Sequence, residues 1–313
     1  MKTSTGEEQF WDHYAAWKED SKTYDVSKRL LLVDWKSQKE RGMDAYYDKL
    51  TPSMLNALKC ILQKRSKNLK TSTLLALKKR HLIEDKETLT DYGRLLAIRQ
   101  FPLDKQCRFL NLPFEDWKLN WGGKPEEFVK KTLIEHGAKA YFVENSIGLF
   151  IDYLMGDLTL AVAKRINKKV YTLNPPYDLE IFFWMKRDLE MYLESFDINH
   201  CRNSFSICFP FLQMLIMEEK PLQIVDIFDD MYRALGLEKV KSLIRMFFSN
   251  PLAYNYRGWP DLFVIEGTSA YCIEVKTTDR LHINQLITIP DLVQYTNIPV
   301  RVVRLKGEHG GRI

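Results

Sequence analysis

The chain has 313 residues, room for about two domains of ordinary size. With 45% hydrophobic and 28% charged residues, it is excluded from the disordered and low-complexity classes. The net charge of +5 and pI near 8.7 form a mild basic bias that suits a polyanionic partner. Five cysteines (Cys60, Cys107, Cys201, Cys208, Cys272) are scattered without CxxC spacing, which predicts a reducing compartment and no structural zinc. The six histidines form no metal-ligating pattern. Residues Met1 to Glu8 lack an apolar core, so no signal peptide is expected. The longest apolar stretch, Phe205 to Met217, contains Pro210 and Gln213 and is too short to span a bilayer. A soluble protein with no membrane partner is expected.

In chain order, residues 1–50 read as an N-terminal helical segment. Phe10, Tyr14 and Trp17 recur at helical spacing, and Leu30, Leu31, Val33 and Trp35 continue the apolar material; these are taken as packing residues. Thr51-Pro52-Ser53 is a helix start, and Leu55, Leu58, Ile61 and Leu62 give that helix its apolar face. A second helix runs from about Thr73 to Arg80. Leu82-Ile83-Glu84 and Thr88-Leu89-Thr90 then flank Asp85-Lys86-Glu87 as a small hairpin, and Asp91-Tyr92-Gly93 opens a third helix. Helices followed by a small hairpin make a winged helix, placed at 51–100. Its Lys64, Arg65, Lys67, Lys70, Lys78, Lys79 and Arg80 could meet DNA phosphates; a solvated helix face or a protein-contact module is the alternative.

Residues 101–123, with Pro102, Pro113 and Gly122-Gly123, predict a linker. Residues 124–313 form the second domain. Pro125 opens a helix that runs to His136 and is ended by Gly137, Ala140–Val143 is a short strand, and a helix follows over Ile147–Leu158. A helical insertion is expected at about 175–250, with helices over Asp178–Phe196, Leu222–Leu235 and Leu237–Phe248. Arg187, Lys186, Arg202, Lys239, Lys241 and Arg245 are its basic candidates for a DNA surface.

The chemistry gathers in the next stretch. Gly258-Trp259-Pro260-Asp261-Leu262-Phe263-Val264-Ile265 and Tyr271-Cys272-Ile273-Glu274-Val275-Lys276 read as two strands joined by the turn Glu266-Gly267-Thr268-Ser269. Alternation puts Glu274 and Lys276 on one face. Paired strands bring Asp261 and Glu274 to one end of the hairpin, where two carboxylates repel unless something positive sits between them. A hard divalent cation with oxygen ligands meets that need, and a lysine beside it is suited to orienting or deprotonating a water held there. A surface hairpin with solvated charges is the bland alternative. A helix over Asn284–Val293, kinked or restarted at Pro290, and a strand over Val300–Leu305 complete the pattern.

Pro260-Asp261 followed thirteen positions later by Glu274-x-Lys276 matches the PD-(D/E)xK nuclease signature. Arg257-Gly258-Trp259-Pro260-Asp261-Leu262, then Glu274-Val275-Lys276-Thr277-Thr278-Asp279-Arg280-Leu281 and Gln285, resemble the VRR-NUC domain of the Fanconi-associated nuclease family over residues 121 to 305. A departure is Val303-Arg304-Leu305, where the family carries a Val-Arg-Arg run. The resemblance implies an α/β fold, a restriction-endonuclease-like mixed sheet with a helical insertion, preceded by the mainly helical winged-helix region. It implies a structure-selective DNA nuclease dependent on Mg²⁺ or Mn²⁺, a 5′-flap endonuclease or 5′–3′ exonuclease acting in repair on branched or flapped duplex. Asp261 and Glu274 would hold the cation with the Val275 carbonyl, and Lys276 would place the attacking water. Glu144 would serve directly or through water, with Glu135 as its competitor, and Gln285 would steady the lysine or the phosphate. Arg257, Asp279 and Arg280 would face DNA together with Lys78, Lys79 and Arg80. Location would be nuclear in a eukaryote and cytoplasmic in a bacterium, and the oligomeric state stays open. A junction resolvase, a restriction-type endonuclease and a non-catalytic winged-helix DNA-binding protein are the alternatives.

Overall fold

The computed structural model describes residues 50–118, 121–144, 146–166, 179–201, 221–249, 258–277 and 280–307. The expected helical segment before residue 50, and the site candidates Arg257 and Asp279, lie outside these residues. The chain divides into two compact units. One comprises the chain up to Pro125, with Glu274–Pro290 and the stretch from Val300; the other comprises Glu126–Ile273 and Asp291–Pro299.

The first unit begins with three short helices, α1 (Pro52–Leu62), α2 (Thr71–Lys79) and α3 (Asp91–Arg99). Thr51 caps α1 by accepting from the Met54 N–H at 3.3 Å, with Pro52 at the first helical position. Thr90 caps α3, accepting from the Gly93 N–H at 3.1 Å while its hydroxyl donates to the His81 carbonyl at 3.0 Å. Between α2 and α3 the chain reverses at Asp85, whose Oδ1 accepts from the Glu87 and Thr88 N–H groups at 2.7 and 2.8 Å. Ile83 bridges Leu89 in antiparallel fashion across that turn. Leu58, Leu77, Leu82, Tyr92 and Leu96 are fully buried and make its core.

Helix α4 (Leu103–Phe109) and strand β1 (Phe114–Lys118) follow, where a linker is expected from the sequence. The prolines there stand beside regular elements: Pro102 is the residue before α4 and Pro113 the residue before β1. The Pro113 carbonyl accepts from the Val302 N–H at 2.8 Å, which starts the pairing of β1.

The remaining elements are α5 (Pro125–Glu135), β2 (Lys139–Phe142), α6 (Ile147–Leu154), α7 (Gly156–Arg165), α8 (Leu179–Glu194), α9 (Pro221–Leu235), α10 (Leu237–Ser249), β3 (Leu262–Glu266), β4 (Ser269–Lys276), α11 (Ile283–Thr296) and β5 (Val300–Lys306). The expected single helix over 147–158 is two helices. The Leu154 carbonyl at the break accepts from the Tyr192 hydroxyl and from the Cys201 thiol. Helix α11 passes through Pro290 without restarting.

The strands form one mixed sheet in the order β1-β5-β4-β3-β2, with β1 parallel to β5 and the pairs β2/β3 and β3/β4 antiparallel. Strand β3 begins with three buried residues and β4 is buried from Ala270 to Val275, as expected of central strands covered on both faces. In the second unit, α9 is fastened to β2 by Asp230, which accepts from Lys139 Nζ at 2.7 Å and from the Tyr141 hydroxyl at 2.9 Å. No helix among the described residues is long and apolar enough to cross a membrane.

Candidate active site

The turn between β3 and β4 contains Gly267 at φ +58°, a left-handed backbone that glycine adopts without a Cβ clash. It sets the register in which Leu262 pairs with Ile273. Asp261 is the residue before β3, and Glu274 follows Ile273 in β4. Asp261 is 7% exposed and Glu274 is fully buried. The Asp261 carbonyl accepts from the Val143 N–H at 2.9 Å, so the backbone ahead of β3 is tied to the end of β2. Glu144, the residue after Val143, is exposed.

Around Glu274 the first unit assembles a small polar network. Lys276 forms an ion pair with Glu274 Oε1, its side chain only 11% exposed. The Gln285 amide donates to the same oxygen at 2.5 Å, and Gln285 Oε1 accepts from the His282 N–H at 3.0 Å. Helix α11 therefore delivers Gln285 to the carboxylate while its own start is held by the same side chain. The neighbouring Cys107 thiol is pushed up to about 12, first by burial and then by nearby charge, Glu274 among it. It is an inert packing group.

Of the residues singled out from the sequence, Glu274, Lys276 and Gln285 are brought into direct contact. Asp261 is buried just ahead of β3, and Val275 is buried between Glu274 and Lys276 in β4. Glu135 is exposed and pairs with Lys131 one turn earlier at 3.8 Å. Lys78, Lys79, Arg80 and Arg280 are exposed, with the Arg80 guanidinium donating to the Ala76 carbonyl at 3.2 Å. Among the described residues no group of three or more His, Cys, Asp or Glu side chains is gathered for a metal. By donor type a buried carboxylate such as Glu274 fits a hard cation of the Mg²⁺ kind, which takes one or two protein carboxylates and completes its shell with water. One residue that sequence inspection passes over is Gln106, fully buried on α4. An uncharged glutamine among Cys107, Leu103 and Phe109 carries no local signal.

The mixed sheet, with its buried acid and lysine at the end of a central hairpin, defines an α/β fold. Two solved structures share it. They are crystal structures of paFAN1, one bound to 2nt 5′ flap DNA with a gap and one to 1nt 5′ flap DNA with a gap; each is 16% identical to this chain with a TM-score of 0.51. The matches cover 92% and 90% of this chain and 55% of each solved chain, so it spans about half the length of the proteins it matches. No protein-family model and no curated protein sequence matches.

Proposed function

We propose that this chain is a metal-dependent nuclease acting on flapped or branched duplex DNA. The observation that carries this is the buried Glu274, held by both Lys276 and Gln285. The shared fold with proteins crystallised on 5′ flap DNA supports the substrate class. Asp261, Glu274 and the Val275 carbonyl would hold Mg²⁺ or Mn²⁺, with Glu144 reaching it through water. When bound, such an ion neutralises charge on the phosphate and makes water a better nucleophile.

The chain's own groups do the rest. Lys276, an ammonium paired to Glu274, donates hydrogen bonds and so orients the attacking water and a phosphate oxygen. Gln285 fixes the Glu274 carboxylate, so neither partner has to reorganise when charge develops. The water oxygen bonds to phosphorus as the ester P–O bond breaks, leaving a phosphate monoester and an alcohol. Lys78, Lys79, Arg80, Arg257, Asp279 and Arg280 would meet the duplex. The helices and hairpin of 51–100 would serve as the winged DNA-binding module, 124–313 as the nuclease domain.

The test is cleavage of end-labelled 5′-flap, 3′-flap, four-way and linear duplex DNA in Mg²⁺, Mn²⁺ or EDTA, with Asp261→Ala and Lys276→Ala alongside. Flap cutting that requires the cation and disappears in both variants supports the proposal. Binding without cutting in any cation would overturn it in favour of a non-catalytic DNA-binding protein.

A further inference from the structure

Gln106 uses both ends of its amide across distant parts of the first unit. Its Nε2 donates to the carbonyls of Ile98 and Arg99 at 3.3 and 3.1 Å, at the C-terminal end of α3. Its Oε1 accepts from the Leu281 N–H at 2.7 Å. The side chain is fully buried, so these bonds replace water that cannot reach it. Leu281 is followed by His282, whose N–H donates to Gln285, which in turn donates to Glu274, the partner of Lys276. A hydrogen-bonded path therefore runs from the end of α3, the last helix of the expected winged helix, to the acid–lysine pair.

We propose that Gln106 is a positioning residue for the Glu274–Lys276 pair, holding the loop ahead of α11 so that Gln285 meets Glu274 and tying that loop to the end of α3. The proposal deepens the nuclease reading and rests on it for its effect on rate. A loop between a catalytic strand and a helix has few anchors of its own. Here the buried Leu281 N–H is satisfied by one side chain, and losing that acceptor loosens the residues that set Gln285. Hydrogen bonds in such a buried network reinforce one another.

The test compares Gln106→Met, close in volume and without polar atoms, with wild type in the full chain. Amide hydrogen exchange is followed across the protein, and single-turnover cutting of 5′-flap DNA is measured beside its Kd. Exchange at Leu281 and His282 should rise about 10-fold, the worth of one lost buried hydrogen bond. The cutting rate should fall by about 10-fold or more at unchanged Kd, because misplacement of a positioned group acts on the chemical step. Combining Gln106→Met with Gln285→Leu should cost no more than the larger single change, as expected for residues acting as one unit. Unchanged exchange at Leu281, or additive losses in the double variant, would overturn the proposal.

Should Gln106→Met fail to fold, Gln106→Glu, kept protonated by burial against the Ile98 and Arg99 carbonyls, retains an oxygen for the Leu281 N–H and has one donor in place of two. Leu281 should then stay close to wild-type protection, and a loosened loop in that variant would overturn the proposal. If wild type itself cuts no DNA, the nuclease reading falls, while the exchange measurement still decides whether Gln106 holds the loop.

Discussion

Two lysines close two neighbouring strands of the sheet, Lys276 at the end of β4 and Lys306 at the end of β5. Each is paired with a carboxylate. Lys306 is 43% exposed and meets Asp116 at 2.8 Å, where Arg304 also donates at 2.7 and 3.0 Å. Lys276 is 11% exposed and meets a Glu274 that is fully buried. Solvent screens the first pair and makes it a modest clasp between β1 and β5. The second carries a desolvation cost that an apolar pair of similar volume would avoid. A sheet needing only stability would do as well with a leucine and a methionine there, so the buried pair is what the proposed chemistry would account for, while strand pairing alone accounts for the exposed one.

The largest expected effect breaks the buried member of this comparison. Glu274→Ala leaves the Lys276 ammonium in a largely buried position without its carboxylate, and should cost about 3 kcal/mol of stability by denaturant melting. Mn²⁺ binding by calorimetry should vanish with it. The double change Glu274→Leu with Lys276→Met should recover most of that stability and none of the cation binding. Stability unchanged in Glu274→Ala would remove the contrast between the two lysines.

Next in size is a change far from either lysine. A Cβ at Gly93 would lie 1.9 Å from the Leu82 carbonyl oxygen, so Gly93→Ala forces α3 away from the turn that precedes it. Overpacking of this kind costs roughly 2 kcal/mol. If the 51–100 region grips DNA, this variant should weaken binding in anisotropy titrations more than it weakens Mn²⁺ affinity, because α3 reaches the acid–lysine pair indirectly, through Gln106 and the residues ahead of α11. Unchanged DNA binding in Gly93→Ala would remove this region from the DNA surface.

The hairpin was legible because everything it needs is local: Gly267 for the turn, alternation for the two faces, and an acid two residues from a lysine. The α1–α3 region was legible for the same reason, since Thr51 and Thr90 cap their own helices. What escaped depends on partners far along the chain. Strand β1 alternates Phe114 and Trp117 imperfectly among Glu115, Asp116 and Lys118, and its partner Arg304 lies 188 residues away. Gln106 meets Leu281 across 175 residues. The split between α6 and α7 follows a carbonyl bonded to Tyr192 and Cys201, 38 and 47 residues on. No window of sequence contains either end of such contacts together.

The exposed clasp makes a pH prediction. Its Asp116 carboxyl is held down to about 2 from an ordinary value of 3.8, by the Arg304 hydrogen bonds first and Lys306 after burial's opposing effect. A carboxyl whose folded value is depressed contributes stability above its unfolded value and loses it as pH falls through the folded one. The contribution should therefore be present at pH 5 and fade between about pH 4 and 2, and solvent screening limits it to about 1 kcal/mol. Asp116→Asn should flatten that part of the stability–pH curve relative to wild type, in melts taken at constant ionic strength.

The smallest effect belongs to Lys306 itself. Arg304 already donates to both Asp116 oxygens and packs its guanidinium 5.2 Å from the centre of the Phe114 ring, so the carboxylate stays satisfied when Lys306 is cut back. Lys306→Ala should change stability by less than about 0.5 kcal/mol, within the range of an exposed ion pair, and should leave Mn²⁺ affinity and flap cutting untouched. Arg304→Ala should cost more, since the fork that meets both oxygens and the ring contact go together. Were Lys306→Ala to weaken cation binding, the end of β5 would belong to the proposed site, and burial would no longer be what separates the two lysines of this sheet.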